Sequence, residues 1–224
     1  LNQIKKISKK YPNTIAVESS DENFSYKKFV QMVLNLSEKI ISKKESANVV
    51  IIGEKDILSY VSFFSVLKAG GTYIPLSSNL PVERIFKIIS LTKAEIIISK
   101  SKNFSILKKK FPKKIFFSEK DLNSEILKNN LKNKNIRKIN SLAYIIFTSG
   151  STGDPKGVCI SRESLDHYVK WLYTKLNIPI GSRCSQFPEI GFDLSVADIY
   201  GTLCSGATLC PVDNNYGKIF PGRF

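Results

Sequence analysis

One short segment of the 224-residue chain concentrates residues that can bind an anion. Between positions 144 and 158 the sequence reads YIIFTSGSTGDPKGV, so an apolar run is followed by glycines, hydroxyl-bearing residues and a lysine. Small residues let backbone N–H groups approach an anion closely, hydroxyl groups donate hydrogen bonds to phosphate oxygens, and lysine adds a positive charge. The segment therefore predicts a phosphate-binding loop that comprises Thr148, Ser149, Gly150, Ser151, Thr152, Gly153 and Lys156.

Two other interpretations of this segment fit the sequence less well. A flexible Gly/Ser linker has no need of hydroxyl groups placed between an apolar strand and a lysine. A Walker loop, G-x-x-x-x-G-K-[ST], that began at Gly150 would need glycine at position 155 and serine or threonine at position 157. The chain has Pro155 and Gly157 there, so the Walker pattern is excluded.

The pattern of apolar residues predicts the elements that position this loop. Apolar residues between Phe29 and Ile40 recur at helical spacing, whereas NVVIIG at 48–53 is typical of a buried strand. Such helices and strands alternate, which predicts an α/β fold with a largely parallel sheet flanked by helices on both faces. The predicted helices are 28–42, 57–69, 82–92, 162–176 and one that Asp193 opens; the predicted strands are 48–53, 72–76, 95–99, 142–148, 156–161, 183–187 and 207–212.

Two of these helices have features that can be predicted in more detail. Helix 57–69 is expected to end in a left-handed C-cap at Gly70-Gly71, because glycine adopts that conformation at little cost. Helix 162–176 is expected to begin with Ser161 as its N-cap. Within it, His167 is expected to be a partly exposed side chain without a catalytic role, and Trp171 is expected to pack in the core.

The composition argues against several classes of protein. No apolar stretch approaches the ~18 residues that cross a bilayer, and the opening LNQIKKISKK lacks the hydrophobic block of a secretory signal. The four cysteines and the single histidine are scattered, without the spacing of a zinc site or a disulfide framework. We therefore expect reduced thiols, a cytoplasmic location and no membrane span.

The net charge of +15 raises the question of nucleic-acid binding. Residues 100–140 contain 13 Lys or Arg against 3 acidic residues. No recognition-helix or zinc-finger pattern accompanies them, and lysine is abundant along the whole chain. A solvated basic surface is therefore favoured and no nucleic-acid partner is expected; salt-sensitive binding of DNA or RNA by 100–140 would support the alternative.

Several segments, taken in order, resemble the motifs of one family. YIIFTSGSTGDPKGV is similar to the phosphate-loop signature of the adenylate-forming superfamily, which includes acyl-CoA synthetases, luciferases and the adenylation domains of nonribosomal peptide synthesis. Three further segments resemble motifs of its amino-acid-activating members, such as D-alanine–carrier protein ligases: FSYKKF (24–29), VLKAGGTYIPLSSNLPVERI (66–85) and FDLSVADIYGTLCSGATL (192–209). Ser77 departs from the pattern, because many relatives have aspartate there.

The resemblance implies a substrate site at the start of the last predicted helix. Taken alone, Asp193 would be an N-cap whose carboxylate accepts a hydrogen bond from the N–H of Ser195 or Val196. In amino-acid-activating relatives the corresponding aspartate holds the α-ammonium group of the substrate, and Leu194 and Ala197 correspond to positions that line the substrate pocket. Both roles of Asp193 can coexist, since a carboxylate has two oxygens.

The resemblance also implies an activity and its partners. ATP and Mg²⁺ would be used to convert an amino acid into aminoacyl-AMP, which is then transferred to the phosphopantetheine thiol of a carrier protein. Residues 1–224 would be the incomplete N-terminal portion of an AMP-binding adenylation domain, with the adenine and ribose contacts, the catalytic lysine and the lid subdomain beyond Phe224. The 224 residues alone are therefore expected to be inactive. The alternatives are an acyl- or aryl-CoA synthetase and a non-catalytic relative that binds a carrier protein.

Overall fold

Helices and strands alternate along most of the chain. In the computed structural model, residues 2–20, 22–100, 104–123, 139–149 and 154–212 are described. Their helices are α1 (Asn2–Lys10), α2 (Tyr26–Lys43), α3 (Ile57–Lys68), α4 (Val82–Leu91), α5 (Phe104–Lys110), α6 (Lys120–Asn123), α7 (Arg162–Leu176) and α8 (Leu194–Ser205). Their strands are β1 (Ile15–Glu18), β2 (Asn23–Ser25), β3 (Asn48–Gly53), β4 (Thr72–Ser77), β5 (Ile96–Ser99), β6 (Ile115–Phe117), β7 (Leu142–Ser149), β8 (Pro155–Ser161), β9 (Arg183–Gln186) and β10 (Thr208–Pro211).

The larger of two sheets has the strand order β6-β5-β3-β4-β7-β8. Its pairs are parallel, except that β8 runs antiparallel to β7. Successive side chains of a strand point to opposite faces, and here each face has its own core. Val49 and Ile51 pack with residues of α2 and α3, whereas Val50 and Ile52 pack with residues of α4 and α5. The predicted α/β fold with a largely parallel sheet flanked by helices is confirmed.

The smaller sheet was not predicted as a separate unit. Its strand order is β2-β1-β10-β9, and β1 pairs in parallel with β10 through Val17 and Leu209. β1 and β2 contain four and three residues, too few for a periodic pattern to be recognised. The Tyr26 hydroxyl donates to the carbonyls of Leu203 and Ala207 at 3.1 and 2.7 Å, which joins the start of α2 to the end of α8.

The predicted helix ends are found where the sequence placed them. Gly70 adopts φ +75°, the left-handed conformation expected after α3. The Ser161 hydroxyl accepts a hydrogen bond from the N–H of Ser164 at 3.0 Å and so caps α7. Both ends follow from local chemistry, because each depends only on residues within a few positions of the helix end.

The prediction for Trp171 is wrong. α7 buries Leu165 and Leu172 against the rest of the protein, whereas Trp171 is 49% exposed. Its ring stacks on that of Tyr168 at a centroid distance of 6.1 Å, which places both aromatic rings on the solvent side of the helix. His167 is exposed, as predicted.

Two predictions from composition can be compared with the fold. Among the described residues, no helix combines the length and the apolar character needed to cross a membrane. The four cysteines all lie in the described part of the chain, and all four are free thiols.

Candidate functional site

A cavity of about 590 Å³ lies where the C-terminal ends of β4 and β7 meet the segment that precedes α8. Ligands bind at this edge of a parallel sheet in many α/β proteins, because strand ends and the loops after them converge there. The polar side chains that line the cavity come from β4, α4, β7 and the segment before α8: Ser77, Arg84, Tyr144, Thr148, Glu189 and Asp193.

The hairpin of β7 and β8 carries the predicted phosphate-binding loop at its tip. The antiparallel register places Thr148 opposite Lys156, so the start of the loop and its lysine are neighbours across the two strands. Thr148 also lines the cavity, and Lys156 is exposed. A methylene or methyl group at Gly157 would lie 2.9 Å from Cγ2 of Ile145, which explains why a residue without a side chain stands in this strand.

The centre of the predicted loop is outside the described part of the chain. Gly150, Ser151, Thr152 and Gly153 are not among the described residues, and only the backbone of Ser149 is described. Their binding of phosphate therefore stays a prediction. The described residues on either side, Thr148 and Asp154, fix where this segment leaves and re-enters the hairpin.

Helix α4 contacts both of these flanking residues. The Arg84 guanidinium donates to the carbonyl oxygen of Thr148 at 3.2 Å. The ammonium group of Lys87, three residues along the same helix, forms an ion pair with the carboxylate of Asp154. Sequence analysis assigned no role to either cation, although Arg84 belongs to the motif at 66–85 on which the family resemblance was based.

Asp193 lies at the start of α8 and lines the cavity. The predicted N-cap is present, but its hydrogen bond differs from the prediction: the carboxylate accepts from the N–H of Leu194 at 2.8 Å. The N–H groups of Ser195 and Val196 are bound instead by the carbonyls of Phe192 and Asp193, at 3.1 and 3.0 Å. Asp193 itself has helical backbone angles, φ −60° and ψ −36°, so its side chain reaches the nearest N–H group rather than those further on.

The two residues predicted to accompany Asp193 do not lie on this cavity. Leu194 is 67% exposed and Ala197 is half-buried, and neither is among the lining residues. Their predicted contribution to a substrate pocket stays a prediction. The described structure thus places Thr148 and Asp193 on one cavity and leaves Leu194 and Ala197 outside it.

Tyr144 is a cavity residue that sequence analysis missed. Its side chain is 7% exposed and its ring stacks on that of Tyr73 at 5.3 Å. The Tyr200 hydroxyl in turn donates to the Tyr73 hydroxyl at 3.2 Å. Burial, and secondarily the negative charge of Asp193, raises the pKa of Tyr144 above its usual value. The cavity wall therefore presents a neutral phenol close to a carboxylate. The only sequence signal was the alternation of side chains along β7, which does not separate a cavity residue from a core residue.

The cavity suits a ligand that has both an apolar and a charged part. Its apolar wall includes Leu76, Leu80, Ile88, Ile146, Val158 and Ile160. The guanidinium of Arg84 and the hydroxyl of Thr148 suit phosphate oxygens, and the carboxylate of Asp193 suits an ammonium group. Among residues in the described ranges, no three His, Cys, Asp or Glu side chains form a group that could hold a metal ion.

The chain matches known proteins over nearly its whole length. The family model described as AMP-binding enzyme matches residues 4–220. A D-alanine–D-alanyl carrier protein ligase from Bacillus licheniformis is 30% identical over 222 residues, which are 95% of this chain and 42% of that protein. Gramicidin S synthase 1 from Brevibacillus brevis is 29% identical over 204 residues, 89% of this chain and 18% of that protein.

A solved structure matches the fold. The adenylation domain AlmE from Vibrio cholerae, in complex with glycyl-adenosine-5'-phosphate, superposes with a TM-score of 0.76 at 22% identity and covers 98% of this chain. The chain spans 46% of that structure and 42% of the ligase, less than half the length of either.

Proposed function

Because the chain belongs to the AMP-binding enzyme family, we propose that the full-length protein activates an amino acid with ATP as aminoacyl-AMP and transfers it to the phosphopantetheine thiol of a carrier protein. One observation carries the proposal: Thr148, at the start of the predicted phosphate loop, and Asp193, the predicted ammonium ligand, line the same cavity. A substrate held by Asp193 would then have its carboxylate within the space that the phosphates of ATP enter.

Residues 1–224 would form the N-terminal portion of the adenylation domain. The matched relatives are more than twice as long as the chain, which supports an arrangement in which different parts of the full-length sequence bind different parts of the substrates. In that arrangement, the described residues would bind the amino group and the phosphates. The contacts to adenine and ribose, the catalytic lysine and the lid that closes over the site would come from residues after Phe224.

Amino-acid activation consists of two transfers. In the first, a carboxylate oxygen of the amino acid attacks the α-phosphorus of ATP, the bond to the β-phosphate oxygen breaks, and pyrophosphate leaves. In the second, the thiolate of the carrier attacks the acyl carbon, a thioester forms and AMP leaves. Such phosphoryl chemistry depends on positioning and on neutralisation of charge rather than on a covalent intermediate with the protein.

The described residues would act on the first of these transfers. Thr148 and Lys156 lie side by side at the hairpin tip, where they would bind the phosphates that leave as pyrophosphate. Residues 149–153 would add backbone N–H groups and hydroxyls to this contact, and Mg²⁺ would share the negative charge. The carboxylate of Asp193 would hold the α-ammonium group and so fix the direction of the substrate carboxylate.

An amino acid is a better candidate than a fatty or aromatic acid because of Asp193. A carboxylate in a site for an unamined acid would lose water on substrate binding without gaining a partner, whereas an ammonium group gives it a charge-assisted hydrogen bond of ~1.5–3 kcal/mol. The relatives agree with this choice: a ligase for D-alanine matches this chain, and the AlmE structure contains a glycyl adenylate.

Amino-acid-dependent exchange of pyrophosphate into ATP tests the proposal directly. We expect the full-length protein to catalyse exchange with at least one D- or L-amino acid and not with fatty or benzoic acids. Exchange with fatty or benzoic acids alone would instead indicate an acyl- or aryl-CoA synthetase. Absence of exchange, together with binding of a phosphopantetheinylated carrier protein, would indicate a non-catalytic relative.

A further inference from the structure

One helix, α4, binds the described residues on both sides of the predicted phosphate loop. Arg84 donates to the carbonyl of Thr148, at the end of β7, and Lys87 pairs with the carboxylate of Asp154, just before β8. Arg84 and Lys87 are three residues apart and therefore lie on the same face of the helix.

α4 is anchored firmly enough to serve as a fixed support. Ile85, Ile88 and Ile89 are fully buried and pack against residues of β3, β4 and β5 in one apolar core. Because protein interiors are close-packed, a helix held in this way has little freedom to shift. The position of α4 relative to the sheet therefore sets the positions of the two cationic groups.

Neither contact contributes much to stability. The side chains of Lys87 and Asp154 are 50% and 70% exposed, and exposed ion pairs stabilise proteins only slightly. The contacts have a larger effect through the positions of the groups they hold, since a displacement of about 1 Å in a phosphate-binding group can lower a reaction rate by ~100-fold. The contacts are thus better suited to fixing a position than to holding the fold together.

We propose that Arg84 and Lys87 are positioning residues, which hold Thr148 and Asp154, the two described residues that flank the predicted phosphate loop, where ATP binding requires them. This inference rests on the proposed function for its consequence in catalysis, but its structural part can be measured without catalysis. It assigns a role to α4 that concerns ATP and not the amino acid.

A charge exchange between Lys87 and Asp154 gives the sharpest test. In the full-length protein, we expect Lys87→Glu and Asp154→Lys each to raise KM for ATP by about 5- to 10-fold, about 1 kcal/mol, with KM for the amino acid changed less than about 2-fold. The double variant restores the ion pair in the opposite sense and is expected to return KM for ATP to within about 2-fold of the wild type. Lys109→Glu, which makes the same charge change on exposed α5, is the matched control.

Hydrogen exchange separates the inference from the proposed function. Without nucleotide, the amides of 148–156 are expected to exchange about 5-fold faster in each single variant, and at the wild-type rate in the double variant and in Lys109→Glu. An inactive wild type that shows this pattern would contradict the proposed function and support the inference. Unchanged exchange in the single variants, or failure of the double variant to recover, would overturn the inference.

Arg84 needs its own variant because it also lines the cavity. Arg84→Gln is expected to raise both the exchange rate of the 148–156 amides and KM for ATP, because the donor to the Thr148 carbonyl becomes a weaker, neutral one. A rise in KM for ATP with unchanged hydrogen exchange would mean that Arg84 contacts ATP directly, and would overturn its role as a positioning residue.

Discussion

The hairpin of β7 and β8 is held by arginine at both ends, but the surroundings of the two arginines differ. At its base, Arg162 is half-buried and donates to three backbone carbonyls: those of Asn140 at 2.8 Å, Leu67 at 3.1 Å and Gly71. At its tip, Arg84 donates to one carbonyl and the second contact is an exposed ion pair. The base ties the hairpin to the end of α3 and the start of β4, whereas the contacts described at the tip involve Thr148 and Asp154, which flank the predicted phosphate loop.

The difference suggests that the two ends serve different purposes. Burial lowers the pKa of the Arg162 guanidinium from its usual value, which reflects the cost of removing a charge from water. Three carbonyls compensate for this cost, and without the guanidinium they would lack that partner. The base therefore contributes to the stability of the fold. At the tip, the side chains of Lys87 and Asp154 are exposed, and an exposed ion pair contributes little to stability.

The largest effect on stability is expected at the base. Arg162→Met should lower the free energy of unfolding by about 2–4 kcal/mol, because three partly buried carbonyls lose a charged donor. Chemical denaturation of the full-length protein or of residues 1–224 would measure this change.

Arg183→Met provides a matched control for Arg162→Met. Arg183 is exposed and pairs with Glu18 through two hydrogen bonds, of 2.8 and 3.0 Å. The same substitution there is expected to cost much less. If both variants lowered the free energy of unfolding equally, the contacts of Arg162 would contribute no more to stability than an exposed surface contact.

An intermediate effect is expected within the hairpin, at Gly157. A Cβ atom there would lie 2.9 Å from Cγ2 of Ile145 and 3.1 Å from Cζ of Phe147. Ile145 is β-branched and adjusts poorly, so Gly157→Ala should lower the free energy of unfolding by about 1 kcal/mol.

Gly201→Ala, in α8, is the corresponding control. A Cβ atom there would meet nothing closer than 3.7 Å. The same change should raise the free energy of unfolding by about 0.5–1 kcal/mol, because alanine favours a helix over glycine. Equal effects of the two substitutions would contradict the close approach of β7 and β8 at Gly157.

The smallest effect on stability is expected at the tip. Lys87→Met removes one side of an exposed ion pair and should change the free energy of unfolding by about 0.5 kcal/mol or less. The same variant should still raise KM for ATP, by the factor expected for Lys87→Glu or less. A loss of stability as large as that of Arg162→Met would contradict the claim that the base of the hairpin stabilises the fold more than the tip does.

Sequence analysis predicted the elements of this hairpin but not what holds them. The strands 142–148 and 156–161 and the helix 82–92 follow from apolar periodicity, and the structure has β7, β8 and α4 there. Contacts between Arg162 and the carbonyls of Leu67 and Gly71 join residues more than 90 positions apart. No local pattern specifies such contacts, because they depend on how the finished elements pack.

The candidate site was predictable to a similar degree. Thr148 and Asp193 were singled out by residue type and by family resemblance, and both line the cavity. Tyr144 and Arg84 were not, since a tyrosine in a strand and an arginine in a helix are ordinary in sequence. The hydrogen bond of Asp193 differed from the prediction because the helix begins one residue earlier in its backbone angles than the N-cap rule assumes.

Recognition of the substrate ammonium group by Asp193 is the central claim, and a ratio of two substrates tests it most directly. The measurement is pyrophosphate exchange by the full-length protein with its best amino acid and with the same acid lacking the amino group. The wild type should prefer the amino acid. Asp193→Asn should lower kcat/KM for the amino acid by about 10- to 100-fold while changing that for the analogue by less than about 3-fold. Equal losses for both acids, or no loss for the amino acid, would contradict the claim.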